Sequence, residues 1–131
     1  MIVVDTSVLI AMFAKEPDAP IFKSCIAADE DPVISAASLL ETSIVLRTLG
    51  GRRSSDQELD GFVAENLRVV PVDHEQVQIA RDAHLKYGKG MGHPAQLNFG
   101  DCFSYALAKV LDVPLLYKGG DFSKTDIKSA L

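Results

Sequence analysis

The chain has 131 residues, 47% hydrophobic and 24% charged, which is the balance of a folded globular protein and the length of one domain, here taken as residues 1–131. Thirteen Lys and Arg against eighteen Asp and Glu leave a formal charge of −5, which excludes gripping nucleic acid through an overall basic field. Two cysteines, Cys25 and Cys102, are too few for a disulfide framework, and the longest apolar run, Val8 to Ala14, is too short to span a membrane. With no basic leader ahead of the first apolar stretch, a cytoplasmic location and no membrane partner are expected.

In chain order, Met1-Ile-Val-Val4 is short, β-branched and apolar, the pattern of a buried strand. Asp5-Thr6-Ser7 supplies N-cap chemistry for a buried helix over Val8–Ala14, which ends before Pro17. A second helix is predicted from about Asp18 to Ala28, with Phe22, Cys25 and Ile26 on one face. Pro32–Ser35 reads as a strand, and Ser35 or Ser38 caps a helix that runs to Leu49 and stops at Gly50-Gly51. Ser54-Ser55-Asp56 begins another helix, where Leu59, Phe62, Val63 and Leu67 recur at helical spacing. Arg68–Val72 is a third strand, and Asp73 caps a helix with Val77, Ala80, Ala83 and Tyr87 on its inner face. A glycine-punctuated loop from Gly88 leads to a helix opened by Gly100-Asp101, striped by Phe103, Ala106, Leu107 and Val110. Pro114–Tyr117 is the last strand. Short apolar strands alternating with helices imply a parallel sheet covered on both faces, a three-layer α/β domain.

In such a sheet, ligands bind outside the carboxyl ends of the strands. Asp5 follows the first strand and Asp121 the last, so both fall on that edge. Helix starts return to the same edge. Asp101 lies in the first turn of its helix, and Glu41 about six residues into its own, roughly 9 Å along at 1.5 Å per residue. Each acid has an ordinary reading: a cap for Asp5, a dipole partner for Asp101, an exposed helix face for Glu41 and a turn for Asp121. Their shared edge is what suggests a site. Neighbouring carboxylates repel by on the order of a few kcal/mol per pair at an effective dielectric near 20, so a divalent cation between them is the natural complement. All-oxygen ligands suit Mg²⁺ or Mn²⁺, which activate water and neutralise charge on a phosphodiester. The Thr6 and Ser7 hydroxyls are placed to hold a carboxylate or a water on the metal.

These residues fall in four ordered motifs: Ile2-Val-Val-Asp-Thr-Ser-Val8, Ile34-Ser-Ala-Ala-Ser-Leu-Leu-Glu-Thr-Ser43, Leu97-Asn-Phe-Gly-Asp-Cys-Phe-Ser-Tyr-Ala-Leu-Ala108 and Leu115-Leu-Tyr-Lys-Gly-Gly-Asp-Phe122. Together they resemble PIN-domain ribonucleases, closest to the VapC-type toxins of bacterial toxin–antitoxin pairs. The resemblance covers essentially the whole chain. It implies a three-layer PIN-like fold, Mg²⁺-dependent cleavage of RNA, commonly transfer or ribosomal RNA, and inhibition by a VapB-like antitoxin. It implies further that Asp5, Glu41, Asp101 and Asp121 form the family's acidic quartet, with Asp5 and Asp101 as principal metal ligands. A homodimer is expected on the same ground.

Other residues suggest less. His74, His84 and His93 lack zinc-ligand spacing, and the two cysteines are lone thiols on helical faces. Arg52-Arg53 is expected in a loop, and Lys118, beside the acidic edge, is the best candidate for a phosphate contact. Gly88-Lys-Gly-Met-Gly92 follows a helix rather than a strand and so fails as a nucleotide cradle. Two other functions compete. A phospho-acceptor signalling domain would need Asp56 at the end of a central strand, which Arg52-Arg-Ser-Ser55 does not provide; a PIN-like fold that only binds partners would not need the quartet.

Overall fold

The computed structural model describes residues 1–49 and 53–131. Along the chain come β1 (Ile2–Val4), α1 (Thr6–Phe13), α2 (Ala19–Ala28), β2 (Pro32–Ser35), α3 (Ala36–Thr48), α4 (Arg53–Asn66), β3 (Arg68–Val70), α5 (His74–Tyr87), α6 (Phe99–Leu111), β4 (Leu115–Leu116) and a 3-10 turn at Phe122–Lys124. The four strands are parallel, in the order β3-β2-β1-β4. The predicted stop at Gly50-Gly51, with Arg52, lies outside the described residues. Arg53, expected in a loop, opens α4.

Successive strand residues point to opposite faces, and that alternation builds two cores. Ile2, Val4, Ile34 and Leu116 pack with Val8, Leu9, Phe22, Leu46, Leu59 and Val63 of α1 to α4. Val3, Val33 and Leu115 pack with Ala83, Tyr87, Tyr105 and Leu107 of α5 and α6. Burying a Leu, Ile or Val side chain contributes about 1.5–3 kcal/mol, so the two clusters hold the helices against the sheet. The glycine-punctuated loop has a structural task here. Its Ala95 and Leu97 are buried in the second core, Leu97 bridges to Gly88, and the His93 ring packs edge-on against Tyr87.

The structure departs from expectation in β3, in α5 and in β4, whose two residues are fewer than the expected Pro114–Tyr117. The third strand is shorter than Arg68–Val72 and largely exposed, because it is the edge strand and pairs only with β2. Pro71, which follows it, has no N–H to continue the ladder, and its carbonyl instead accepts from the Gln76 side chain at 2.9 Å. That bond turns α5: Gln76, Ala83 and Tyr87 are buried, whereas Val77, expected inside, is exposed. In α3 the buried residues are Ser38, Thr42 and Leu46, while Leu40 and Ile44 face outward. The other sheet edge is covered. Leu115 donates to the Lys128 carbonyl and accepts from the Ala130 N–H, so the C-terminal segment pairs along β4.

Candidate active site

Asp5 is the residue after β1. One of its oxygens accepts the Ser7 N–H at 3.0 Å, which caps α1 as a helix-start aspartate should. The cap uses only one oxygen. The other accepts the hydroxyl of Ser104, 99 positions away on α6, at 2.5 Å. Asp5 is 4% exposed, so it is a buried carboxylate at the end of a central strand.

Asp101 sits in the first turn of α6. Its carboxylate accepts the Asn98 N–H at 3.0 Å, and the Asn98 side chain accepts the Asp101 N–H at 2.9 Å, a reciprocal capping box. Burial is the main influence pushing this carboxyl up to about 7, opposed by the Asn98 N–H and reinforced by the charges of Asp5, Asp121 and Glu41. That each of these three acids acts on Asp101 puts all four in one electrostatic neighbourhood.

Glu41 reaches it from α3 by crossing over Gly100. A Cβ at position 100 would lie 1.9 Å from Glu41 Oε2, so the missing side chain there leaves room for the carboxylate at the start of α6. Asp121 is exposed and immediately precedes the Phe122–Lys124 turn. It follows Gly119, whose φ of 100° is open to glycine and strained for other residues. Beside Glu41 runs an apolar groove of about 350 Å³, lined by Ala37, Leu40, Ile44, Phe99 and Phe103.

Thr6, Ser7 and Lys118 each have partners of their own beside the acids. The Thr6 hydroxyl donates to the Ser38 carbonyl at 3.1 Å. The Ser7 hydroxyl accepts the Lys118 N–H at 2.9 Å and so ties the segment after β4 to the start of α1. The Lys118 ammonium pairs with Glu16 and with Asp18, at 3.1 Å from the latter. Asp56 lies in the first turn of α4 and pairs with Arg47 at 2.5 Å, not at a strand end as a phospho-acceptor would.

Sequence reading gave no site role to three residues that the geometry brings to the acids or to an acid's hydrogen-bond partner. Asn98 is signalled by the Asn-x-x-Asp spacing of a capping box. Ser104 is one helical turn after Asp101, and Ser38 one turn before Glu41, so the i, i+3 rule puts each beside an acid. Among the described residues, no group of three or more His, Cys, Asp or Glu side chains stands ready to hold one metal ion. Two carboxylates with water suffice for Mg²⁺.

A buried aspartate at the end of the first strand, acidic helix starts and a three-layer parallel sheet define a PIN domain, and the chain belongs to that family, which it matches over residues 2–128. Within it, the chain belongs with the VapC ribonucleases. It is 46% identical over 126 residues to a VapC ribonuclease of Mycobacterium bovis, covering 95% of each chain. It is likewise 46% identical over 126 residues to ribonuclease VapC of Mycolicibacterium smegmatis, covering 95% of this chain and 96% of that one. Its fold is similar to that of Mycobacterium tuberculosis VapC20, described as a sarcin–ricin loop cleaving toxin, with a TM-score of 0.77 at 21% identity over 97% of this chain and 96% of that one.

Proposed function

We propose that this protein is an endoribonuclease toxin whose activity depends on a divalent cation, Mg²⁺ or Mn²⁺, held by Asp5 and Asp101 with Glu41 and Asp121 beside them. Membership among the VapC ribonucleases supports the ribonuclease and toxin roles. The observation that carries the site is Asp5, a buried carboxylate at the strand end bonded by Ser104 of the helix on which Asp101 sits and over whose Gly100 the Glu41 carboxylate lies. Such an all-oxygen, charge-crowded set fits a hard divalent cation and not a soft one. When bound, the cation would supply a nucleophilic water at neutral pH and neutralise charge on the phosphodiester.

The protein's own residues prepare that chemistry. Ser7 and Ser104 each occupy one oxygen of Asp5, and the Asn98 N–H fixes Asp101. Each carboxylate oxygen accepts more than one bond, so both acids keep lone pairs for a ligand while their orientation is set. Glu41 and Asp121 add negative charge around them.

The partners are proposed on the resemblance to VapC toxins together with the charge of the site. The substrate is RNA, with transfer and ribosomal RNA the first to assay. A VapB-like antitoxin closes the acidic cleft with an Arg- or Lys-bearing segment that pairs with the carboxylates, and the toxin is a homodimer. Purified protein incubated with structured RNA tests the reading: cleavage requires Mg²⁺ or Mn²⁺ and disappears with EDTA or in Asp101→Asn. Cleavage that persists in EDTA removes the metal role, and intact RNA under all conditions leaves a partner-binding domain. Co-expression with the neighbouring reading frame restores growth if that frame encodes the antitoxin.

A further inference from the structure

We propose that Ser104 is a positioning residue for Asp5, the terminus of a buried hydroxyl relay that sets α3 and α6 in register around the acids. The proposal rests on the cation-dependent reading above.

Ser104 has one hydroxyl proton, and the 2.5 Å bond, in which it donates to Asp5, takes it. Ser38 Oγ, 3.1 Å from Ser104 Oγ, must therefore be the donor in that pair. The order of the relay is fixed: Ser38 donates to Ser104, and Ser104 donates to Asp5. The same turn of α3 is gripped from two more sides, since the Ser38 carbonyl accepts from Thr6 at 3.1 Å and from Thr42 at 2.8 Å. Ser38 and Ser104 are 1% and 0% exposed, and Thr42 is 0% exposed.

A buried hydroxyl is costly unless every bond is made, and an apolar pair would fill this space without that risk. Retaining Ser at both positions makes sense if the bonds do something that packing cannot. They join the turn before Glu41 to the turn after Asp101 and end on Asp5 itself. One continuous chain thus locks the strand-end carboxylate to the two helices that carry its neighbours. A short bond from the side opposite Ser7 leaves Asp5 a single orientation. A ligand carboxylate held this way resembles the outer-shell partners whose loss typically costs about 10–100-fold in metal affinity.

Mn²⁺ binding to the full-length protein, without RNA, is measured by calorimetry and by the electron spin resonance of free Mn²⁺. Ser104→Ala is expected to bind Mn²⁺ about 10-fold or more weakly than wild type. Ser38→Ala removes an equally buried hydroxyl from the same relay but leaves the bond to Asp5, so its affinity stays within about three-fold. Both variants are expected to melt below wild type. If Ser104→Ala does not fold, Ser104→Cys keeps the size with only a weak donor and carries the same expectation. Lower melting points with unchanged Mn²⁺ affinity, or equal affinity losses in the two variants, overturn the positioning role. If the wild type takes up no Mn²⁺, the reading of the site fails and this inference with it.

Discussion

Asp101 gives the sharpest test at the scale of one residue. Its carboxyl is raised from 3.8 to about 7, so the folded protein holds this proton more tightly than the unfolded chain does. Between about pH 4 and pH 7 folding takes up a proton, and stability falls as pH rises across that window. In EDTA the melting temperature of wild type, compared with that of Asp101→Asn, is therefore expected to decline from pH 4 to pH 7 and level off above. The variant lacks this component and melts higher than wild type at pH 7.5. A parallel pH dependence in both proteins would detach the acid from its crowded setting. Gly100 offers a second test. Gly100→Ala gains up to about 1 kcal/mol of helix propensity, but its Cβ displaces the Glu41 carboxylate. The melting point is expected to hold or rise while cleavage falls, by as much as about 10²-fold if a displacement near 1 Å matters as it does in other active sites. That the four acids fall toward one edge was legible because strand ends and helix starts are readable from pattern, while their grouping as a quartet came from the resemblance of the motifs. The hydroxyls were not legible, since a serine in a helix shows its partner only once the helices have packed.

At the scale of elements, the alternation of strands and helices predicted both the layers and their order along the chain. What it missed were faces. Hydrophobic spacing assigned Val77 to the inner side of α5, but a buried Gln76 is satisfied by the Pro71 carbonyl and takes that place. In α3, for which spacing marked no inner face, Ser38, Thr42 and Leu46 are buried and Leu40 and Ile44 exposed. Apolarity alone therefore misjudges helices that serve a polar site. The start of α6 rests on its capping box, whose loss is measurable. Asn98→Ala is expected to cost about 1 kcal/mol and a few degrees of melting temperature, whereas Asn98→Asp preserves the cap. Equal stability of all three proteins in thermal melts would mean that tertiary packing alone holds the helix start.

For the whole molecule, a net charge of −5 would make the proposed cation part of the electrostatic balance as well as of the chemistry. An ion bound only by the folded state stabilises it by about 2.7 kcal/mol at one hundred times its dissociation constant. The wild-type melting point is expected to climb with the logarithm of Mg²⁺ concentration and to respond much less in Asp101→Asn; identical responses in calorimetric scans would put the ion elsewhere. The bond between Ser104 and Asp5 spans 99 positions, and Asp121 joins from further still. During synthesis, at about 5–20 residues per second, Asp5 has to wait for the 99 positions up to Ser104 before that partner emerges. A growing chain therefore keeps Asp5 apart from Asp101 and Asp121, and the acidic edge can assemble only after the start of α6 has been made.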